Sequence, residues 1–520
     1  MIASWLIQCN RQSDSGSHPP SLKQQFIFSI VSDIETFDPL DIIYTQEWQL
    51  ASFVYEGLFG YGIQSTEIEP LLAKNVDMMN GKQIRIGLRT DVFFHDDPCF
   101  PQTSGRLLTA HDVAYTFRRI RNHTPPSPNA SLLEGKIEQI LVENDSTLVF
   151  TLTDTYATFL KILASPLCYI VPHEAVAYYG DTFEYHPVGT GPFQLVRREP
   201  FQSLEFIQNK HYWKKDENGN ALPRLESVLV RIVNNESKNF SEFIKNTNML
   251  LQPSGERALR DFENLPAFSV SQEIKTCTGL TLRFFGFSMD TKSPYAKNAE
   301  LRTAIALGFD RQQLHLNASK AQTQLACTLV PPGLLNQPAP EWYPYNPQLA
   351  SHLIKSMVSV NALQHELTLH SNIEAADIQV LRDGLNRLKI PNQLTINKTR
   401  YFNRILSERP DIFRVSFLPS YPDPQEYYSL FYSKSPPEIN LTGYKNFEFD
   451  LHFDKAQVET DSLKRLNHFL QMEALLKQDL PLIYISHSKP VSFFVPPYVK
   501  HFQTRYVLFD LSEVKLEQAP

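Results

Sequence analysis

FRVSFLPSYPDPQEYYSLFYS, from Phe413 to Ser433, is the stretch on which the reading of this chain turns. Phe413 to Leu418 alternates large apolar residues with smaller or polar ones, as a strand running to a surface does. Pro419, Pro422 and Pro424 follow at once. Proline fixes φ and removes a donor, so the backbone cannot extend a sheet there, and a stiff, exposed turn is expected. Asp423 stands between two of the prolines, ahead of an aromatic face of Tyr421, Tyr427, Tyr428, Phe431 and Tyr432. A rigid loop of aromatics and one carboxylate at a strand end suits holding a ligand better than cutting one. The same residues also suit a proline-rich surface turn over a core helix, with Asp423 bonding nearby backbone N–H groups.

Outward from that loop, composition narrows the classes. A chain of 520 residues has room for two to four domains and a sizeable core. With 42% apolar and 20% charged residues it reads as an ordinary globular protein. A net charge of −7, with no basic run longer than Arg118-Arg119, gives no reason to expect nucleic acid. The 35 Phe and 22 Tyr suit a receptor that stacks on ligands, and they suit a large core equally. No run of about 18 apolar residues is present, so no spanning helix is expected.

The N-terminus, MIASWLIQC, places an apolar patch (Ile2 to Ile7) before Cys9 and a polar tether (Asn10 to Ser21) after it. That order is what a lipoprotein signal leaves, with Cys9 as the lipid-modified residue; an ordinary disordered terminus is the alternative. FIFSIVSDIETFDPL is a strand entering a turn at Asp38-Pro39, and the next helix ends in VYEGLFGY, where Gly57 is expected at a positive φ. An Asn80-Gly81 turn joins two alternating strands, and Thr109 is an N-cap with Asp112 at the capping-box position. His95, Asp96, Asp97 and Cys99 crowd too tightly around Pro98 to converge on one ion, so a structural hairpin is expected and no metal. HPVGTGPF, from His186 to Phe193, has glycines but no following lysine or helix start, so it is no phosphate loop. Leu301, Ala304, Ile305 and Gly308 share one helical face. If Cys9 is lipidated, Cys99, Cys168, Cys277 and Cys327 remain, either as two disulfides in any of three connectivities or as isolated thiols.

Taken in order, these segments resemble the family 5, or cluster C, extracellular solute-binding proteins. The opening stretch is similar to the family's W-x-A-D-Y-P-D-P-x-x-Y/F-x-x-x-F-x-S, and VYEGLFGY to its Y-E-G-L. GRLLTAHDVAYTFRRI resembles L-T-A-x-D-V-x-Y-S-F-x-R, and HPVGTGPF resembles P-V-G-T-G-P-[FY]. LEFIQNKHYWKK and NLTGYKNFEFD resemble L-x-x-N-x-x-Y-W and N-x-x-x-Y-x-N-x-x-F-D. The resemblance implies an α/β, two-lobe periplasmic-binding-protein fold of type II (cluster C), with an extra subdomain on the first lobe. It implies a tether over 1–24 and lobe I over 25–60, 189–276 and 487–520. The subdomain falls over 61–188 and lobe II over 277–486. Hinges are expected at Thr276 to Thr281 and Ser486 to Lys489.

By the same resemblance, the residues after the first turn, Ile43, Tyr44 and Thr45, line the cleft. His370 and Ser371 stand near the place where dipeptide-binding relatives carry a carboxylate-clamping Arg, which this chain lacks there. The position of the family's amine-holding Asp is Ser420, beside Tyr421 and Asp423. A charge-assisted bond is worth roughly 1.5–3 kcal/mol and a hydroxyl supplies about half of that, so both anchors of a short peptide are weakened. A longer peptide, held by backbone hydrogen bonds and aromatic contacts, is therefore expected. The implied protein is a monomer of the periplasm or cell envelope that delivers a peptide or other small solute to an ABC transporter permease. It has no cofactor and no catalytic residue, and it touches membrane only through a lipid anchor. A sensor or regulator of the same fold, with a degenerate site and a non-peptide ligand, is the alternative. A secreted hydrolase finds no G-x-S-x-G, H-E-x-x-H or paired-carboxylate motif.

Overall fold

The computed structural model describes residues 24–517, apart from 123–129, 246, 254–261, 265, 267–270, 277–278, 318–322, 336–342 and 357–364. Cys9 and Cys277 lie outside the described residues; Cys99 and Cys168 are free thiols, and burial pushes that of Cys168 up to about 12.

Lobe I opens with β1 (Gln25–Ile30), whose alternation turns Phe26, Phe28 and Ile30 inward. Phe28 meets Phe53 edge-on at 6.3 Å, on the helix Thr45–Val54 that covers this sheet. The helix ends sooner than the sequence suggests. Tyr55 is already extended at φ −110°, and Gly57 has no positive φ. Glycine suits position 57 for another reason: a Cβ would lie tightly, at 3.1 and 3.2 Å, against the carbonyl oxygens of Phe59 and Leu163. A short ribbon follows, β2 (Phe59–Tyr61) with β3 (Ile68–Pro70).

The next four strands form one antiparallel sheet: β4 (Ala73–Met78), β5 (Gln83–Leu88), β6 (Ile137–Asn144) and β7 (Thr147–Leu152), ordered β4-β5-β7-β6. The helix Ala110–Asn122 packs on it through Phe117, 5.0 Å from Phe150. Asp112 accepts from the Thr109 backbone N–H at 2.9 Å, the half of a capping box expected of it, and both its oxygens also take Arg106. His95 is buried against the Gly191 carbonyl at 2.9 Å, Asp96 accepts from Gly105 and Asp97 from Tyr179, so these groups diverge.

β8 (Phe193–Glu199), β9 (Ser203–Gln208) and β10 (Ser227–Ile232) complete the first sheet, ordered β1-β10-β9-β8 with β1 parallel to β10. Glu56 joins three separate segments here. Its buried carboxylate accepts from Thr190 at 2.9 Å, Tyr212 at 3.1 Å and Trp213 at 3.0 and 3.1 Å. One apolar core runs from Phe26 and Phe206 through to Phe117 and Phe150, so both sheets share an interior.

β11 (Gln272–Lys275) leads out of this lobe and β12 (Leu282–Phe287) into the next. The lobe II sheet adds β13 (Thr323–Leu325), β14 (Leu367–Ser371), β15 (Asn392–Ile396), β16 (Ile412–Phe417) and β17 (Leu482–Ser488) in the order β13-β17-β12-β16-β14-β15. Helices Ala299–Gly308 and Ala376–Arg387 cover one face through Leu301, Ile305 and Leu381. Helices Phe447–Val458 and Ser462–Asp479 cover the other through Phe449 and Met472. β18 (Ser492–Val495) returns to lobe I and pairs antiparallel with β11. Two small ribbons end the chain: β19 (Val499–Lys500) with β22 (Lys515–Leu516), and β20 (Gln503–Arg505) with β21 (Leu508–Asp510).

The crossovers between the lobes run side by side. β11 pairs with β18 in one lobe and β12 with β17 in the other. Between them Thr276 donates to the Val491 carbonyl at 3.0 Å and Ser488 to the Thr281 carbonyl at 2.8 Å. On both sides of 277–278 the two crossovers are bonded to each other, antiparallel. A Cβ on Gly279 would fall 1.9 Å from the Ser488 carbonyl oxygen, so the strands touch there without room for a side chain.

Candidate functional site

The proline loop after β16 is buried, against the expectation of an exposed turn. Tyr421 and Asp423 are each 2% exposed. The stiffness is as expected, but lobe I folds over the loop. Tyr506 donates to the Pro419 carbonyl at 2.9 Å, and Tyr421 inserts into the lobe I core. Asp423 caps the helix Pro424–Ser429 through the Gln425 N–H at 3.0 Å. It also takes Arg465 of lobe II as a two-pronged pair at 3.0 and 2.6 Å, and Lys161 of lobe I at 3.4 Å. Burial pushes its carboxyl upward, yet Arg465 and then Lys161 hold it below the ordinary aspartate value. Asp423 therefore sits in the joint between lobes with its charge already answered.

Glu426 is the residue that sequence reasoning missed. Its carboxylate accepts from the backbone N–H of Ser420 at 2.7 Å and of Tyr421 at 3.0 Å, and it also bonds the Ser420 hydroxyl. Burial pushes it up to about 7. Six residues separate Glu426 from Ser420, a reach that no helical or strand period signals. The half-buried Ser420 is thus a hydroxyl backed by a carboxylate.

The other expected residues lie elsewhere. Ile43 and Tyr44 are 48% and 50% exposed and Thr45 is exposed, at the start of the helix that ends at Val54. Glu47 fixes that start by accepting from Ile43 and Tyr44 N–H groups at 3.3 and 3.4 Å. His370 and Ser371 end β14, and the protein occupies their polar atoms. His370 Nδ1 lies 3.3 Å from Asn397 Nδ2, and burial lowers its basicity. Ser371 is fully buried, donating to the Ile373 carbonyl at 2.7 Å and accepting from its N–H at 3.2 Å. The structure brings Ser420, Tyr421 and Asp423 together in one loop. Among the described residues no hydrogen bond links that loop to Ile43–Thr45 or to His370 and Ser371.

Asp112, His173 and Glu174 offer three ligand atoms within 4.8 Å. Arg106 already binds both carboxylates at 2.6 to 2.9 Å, so the cluster is neutralised from within. A groove of about 560 Å³ runs beside the edge strand β15, lined by Glu374, Arg382, Leu394 and Ile396, and no expected site residue faces it. No helix among the described residues is long and apolar enough to cross a membrane.

The family described as bacterial extracellular solute-binding proteins, family 5 Middle, matches residues 67–438. The glutathione-binding protein GsiB of Salmonella typhimurium is 25% identical over 358 residues, 68% of this chain and 65% of GsiB. The chain thus spans just under two thirds of that relative's length. Heme-binding protein A of Haemophilus influenzae is 23% identical over 520 residues, 94% of this chain and 92% of that protein. In structure, the periplasmic binding protein DppA from Helicobacter pylori, solved with the peptide STSA, superposes with a TM-score of 0.82. It is 20% identical and covers 95% of this chain and 98% of its own. That likeness shows the type II two-lobe fold.

Proposed function

This chain belongs to the bacterial extracellular solute-binding proteins of family 5, and on that premise we propose that it is the binding component of an ABC importer, holding oligopeptides between two closing lobes. The observation that carries the reading is the proline loop seated in the lobe joint, clasped by Tyr506 and Lys161 from one side and Arg465 from the other. Contacts of that kind differ between open and closed forms. A solute that adds to them shifts the population toward the closed form, which the permease reads. No chemistry is required of the protein, so bound peptides should be recovered intact by mass spectrometry after denaturation. Cleaved products in proportion to protein would favour a hydrolase.

Ser420 sets how the solute's amino end is held. A hydroxyl accepts from an amide or an ammonium group alike, so a free amine is not obligatory. Acetylating a peptide's N-terminus is expected to leave its affinity nearly unchanged in calorimetry. Ser420→Asp is expected to create a preference for the free amine of roughly 1–2 kcal/mol, about five- to thirtyfold. The added charge is tolerable because the neighbouring Glu426, pushed up to about 7, can keep its proton. Wild type that already rejects the acetylated form strongly would count against this role for Ser420. Should no peptide bind either protein, the sensor reading moves ahead, favoured by the same Ser420 and by the missing arginine near His370.

The proposed location is the periplasm or cell envelope, with Cys9 as a lipid attachment point after the apolar patch Ile2 to Ile7. Expressed with its native upstream codons, the protein should partition into detergent, and Cys9→Ser should release it. Equal solubility of the two forms would end that idea.

A further inference from the structure

Strand β12 carries a cation that no described residue answers. Arg283 stands in register between Ser416 on β16 and Ser486 on β17, at the end of the lobe II sheet nearest the crossovers. Side-chain alternation puts Ser416 on the same sheet face as Arg414, two residues earlier. Arg414 is paired. Asp377 binds it at 3.0, 3.0 and 2.9 Å, and both side chains are under 10% exposed. Both oxygens of Asp377 are spent on that pair. Arg283 is half-buried, and among the described residues no carboxylate, carbonyl or hydroxyl lies within hydrogen-bond distance of its guanidinium. Burial and then the Arg414 charge hold it below the ordinary arginine value, opposed only by Asp377. Ser416 is exposed, so no helix closes off this end of the sheet.

A partly desolvated cation without a partner destabilises a fold, and such groups persist where function needs them. Arg283, Arg414 and Asp377 together carry one net positive charge, and Arg283 offers a planar fork of donors in register with two serines. We propose that Arg283 binds a carboxylate of the solute, with the hydroxyls of Ser416 and Ser486 beside it. Two parallel N–H donors of a guanidinium match the two oxygens of a carboxylate. The inference rests on the solute-binding reading and narrows it to solutes bearing a carboxylate, whether a peptide's C-terminus or an acidic side chain. It also moves the anionic anchor away from the strand end at His370, where the sequence pattern places it, to a different strand.

Two measurements on the full chain, freed of bound solute by dialysis in mild denaturant, test this separately from the peptide reading. Acetate is the first probe. The Arg283 Nε–H resonance, identified by its loss in Arg283→Lys, should shift saturably with acetate at constant ionic strength; no saturable shift overturns the proposal. The second probe is an elastase digest of casein, offered as free acids and as methyl esters. Wild type should retain free acids roughly tenfold better, and Arg283→Gln less than twofold better. An unchanged preference in Arg283→Gln overturns the proposal. Synthetic copies of retained peptides, amidated at the C-terminus or with Glu replaced by Gln, then tell which carboxylate is used. Acetate binding without peptide retention keeps the anion site and rejects peptides as solutes. Peptide retention without acid preference or acetate shift does the reverse. The melting temperature of solute-free Arg283→Gln should equal or exceed that of wild type, and a clear fall would reveal a structural partner and overturn the proposal.

Discussion

Asp423→Ala is expected to lower the stability of the folded chain by about 3–5 kcal/mol, the cost of leaving a buried guanidinium without its carboxylate. The Asp423 and Arg465 side chains are 3% and 14% exposed, and two parallel bonds join them. The substitution also removes the cap on the Gln425 N–H, worth about 1 kcal/mol. Arg465→Ala alone should cost a comparable amount. The double variant should cost clearly less than the sum, because neither charge is then stranded. Lys161→Ala should cost under about 1 kcal/mol, since that side chain is 31% exposed and its contact is 3.4 Å. Urea denaturation with unchanged slope measures all four. A loss below about 1 kcal/mol for Asp423→Ala would mean that the pair is not structural, and would return Asp423 to the set of free ligand-binding carboxylates.

The second large effect depends on pH and belongs to Glu56. Burial pushes its carboxyl up to about 7, while Trp213, Thr190 and Tyr212 partly oppose the rise. An unfolded glutamate titrates near 4.5. Below that value both states hold the proton, and Glu56 contributes its full stability. Between about 4.5 and 7 only the folded state holds it, so the contribution is lost as pH rises through that window. The loss is about 3 kcal/mol. Glu56→Gln mimics the protonated form. Its carbonyl can accept from Trp213, and its amide can donate to the hydroxyl of Thr190 or Tyr212, which rotate to suit. The two proteins should therefore be about equally stable at pH 4.5, and the Gln variant more stable by about 3 kcal/mol at pH 8. A difference that stays constant across that range would show that Glu56 is ionised throughout.

The fold was legible where local pattern and tertiary context agree. The alternation in FIFSI, the Asn80-Gly81 turn and the helical face of Leu301, Ala304 and Ile305 all appear as expected. Glu56 shows why scattered motifs signalled one fold. Y-E-G-L, P-V-G-T-G-P and the Y-W pair look unrelated along the chain, yet Glu56, Thr190, Tyr212 and Trp213 meet on one carboxylate. The burial of the proline loop was not legible. The groups that cover it, Lys161 and Tyr506, come from the other lobe, 262 and 87 positions away in sequence from the residues they bond. Strand end His370-Ser371 was placed correctly along the chain, but the turn that consumes Ser371 is made by its own backbone neighbour Ile373. Arg283 carried no signal, because a single arginine in an alternating strand reads as a solvent-facing position until its neighbours are known.

For the proposed lobe closure, the paired crossovers would act as a flexure. Two loose linkers would let one lobe slide, twist and drift against the other in every direction. A ladder closed at Thr276–Val491 and Thr281–Ser488 resists stretching and sliding, because either motion breaks several bonds at once, while bending across it breaks none. In the proposed closure the approach of the lobes would be confined to nearly one coordinate, leaving little configurational freedom to surrender when a solute arrives. The same pairing would fix where the two lobes' outer faces lie relative to each other at every stage of that proposed swing. In the proposed importer, a transporter that gauges the angle between those faces would read solute occupancy as a single mechanical variable.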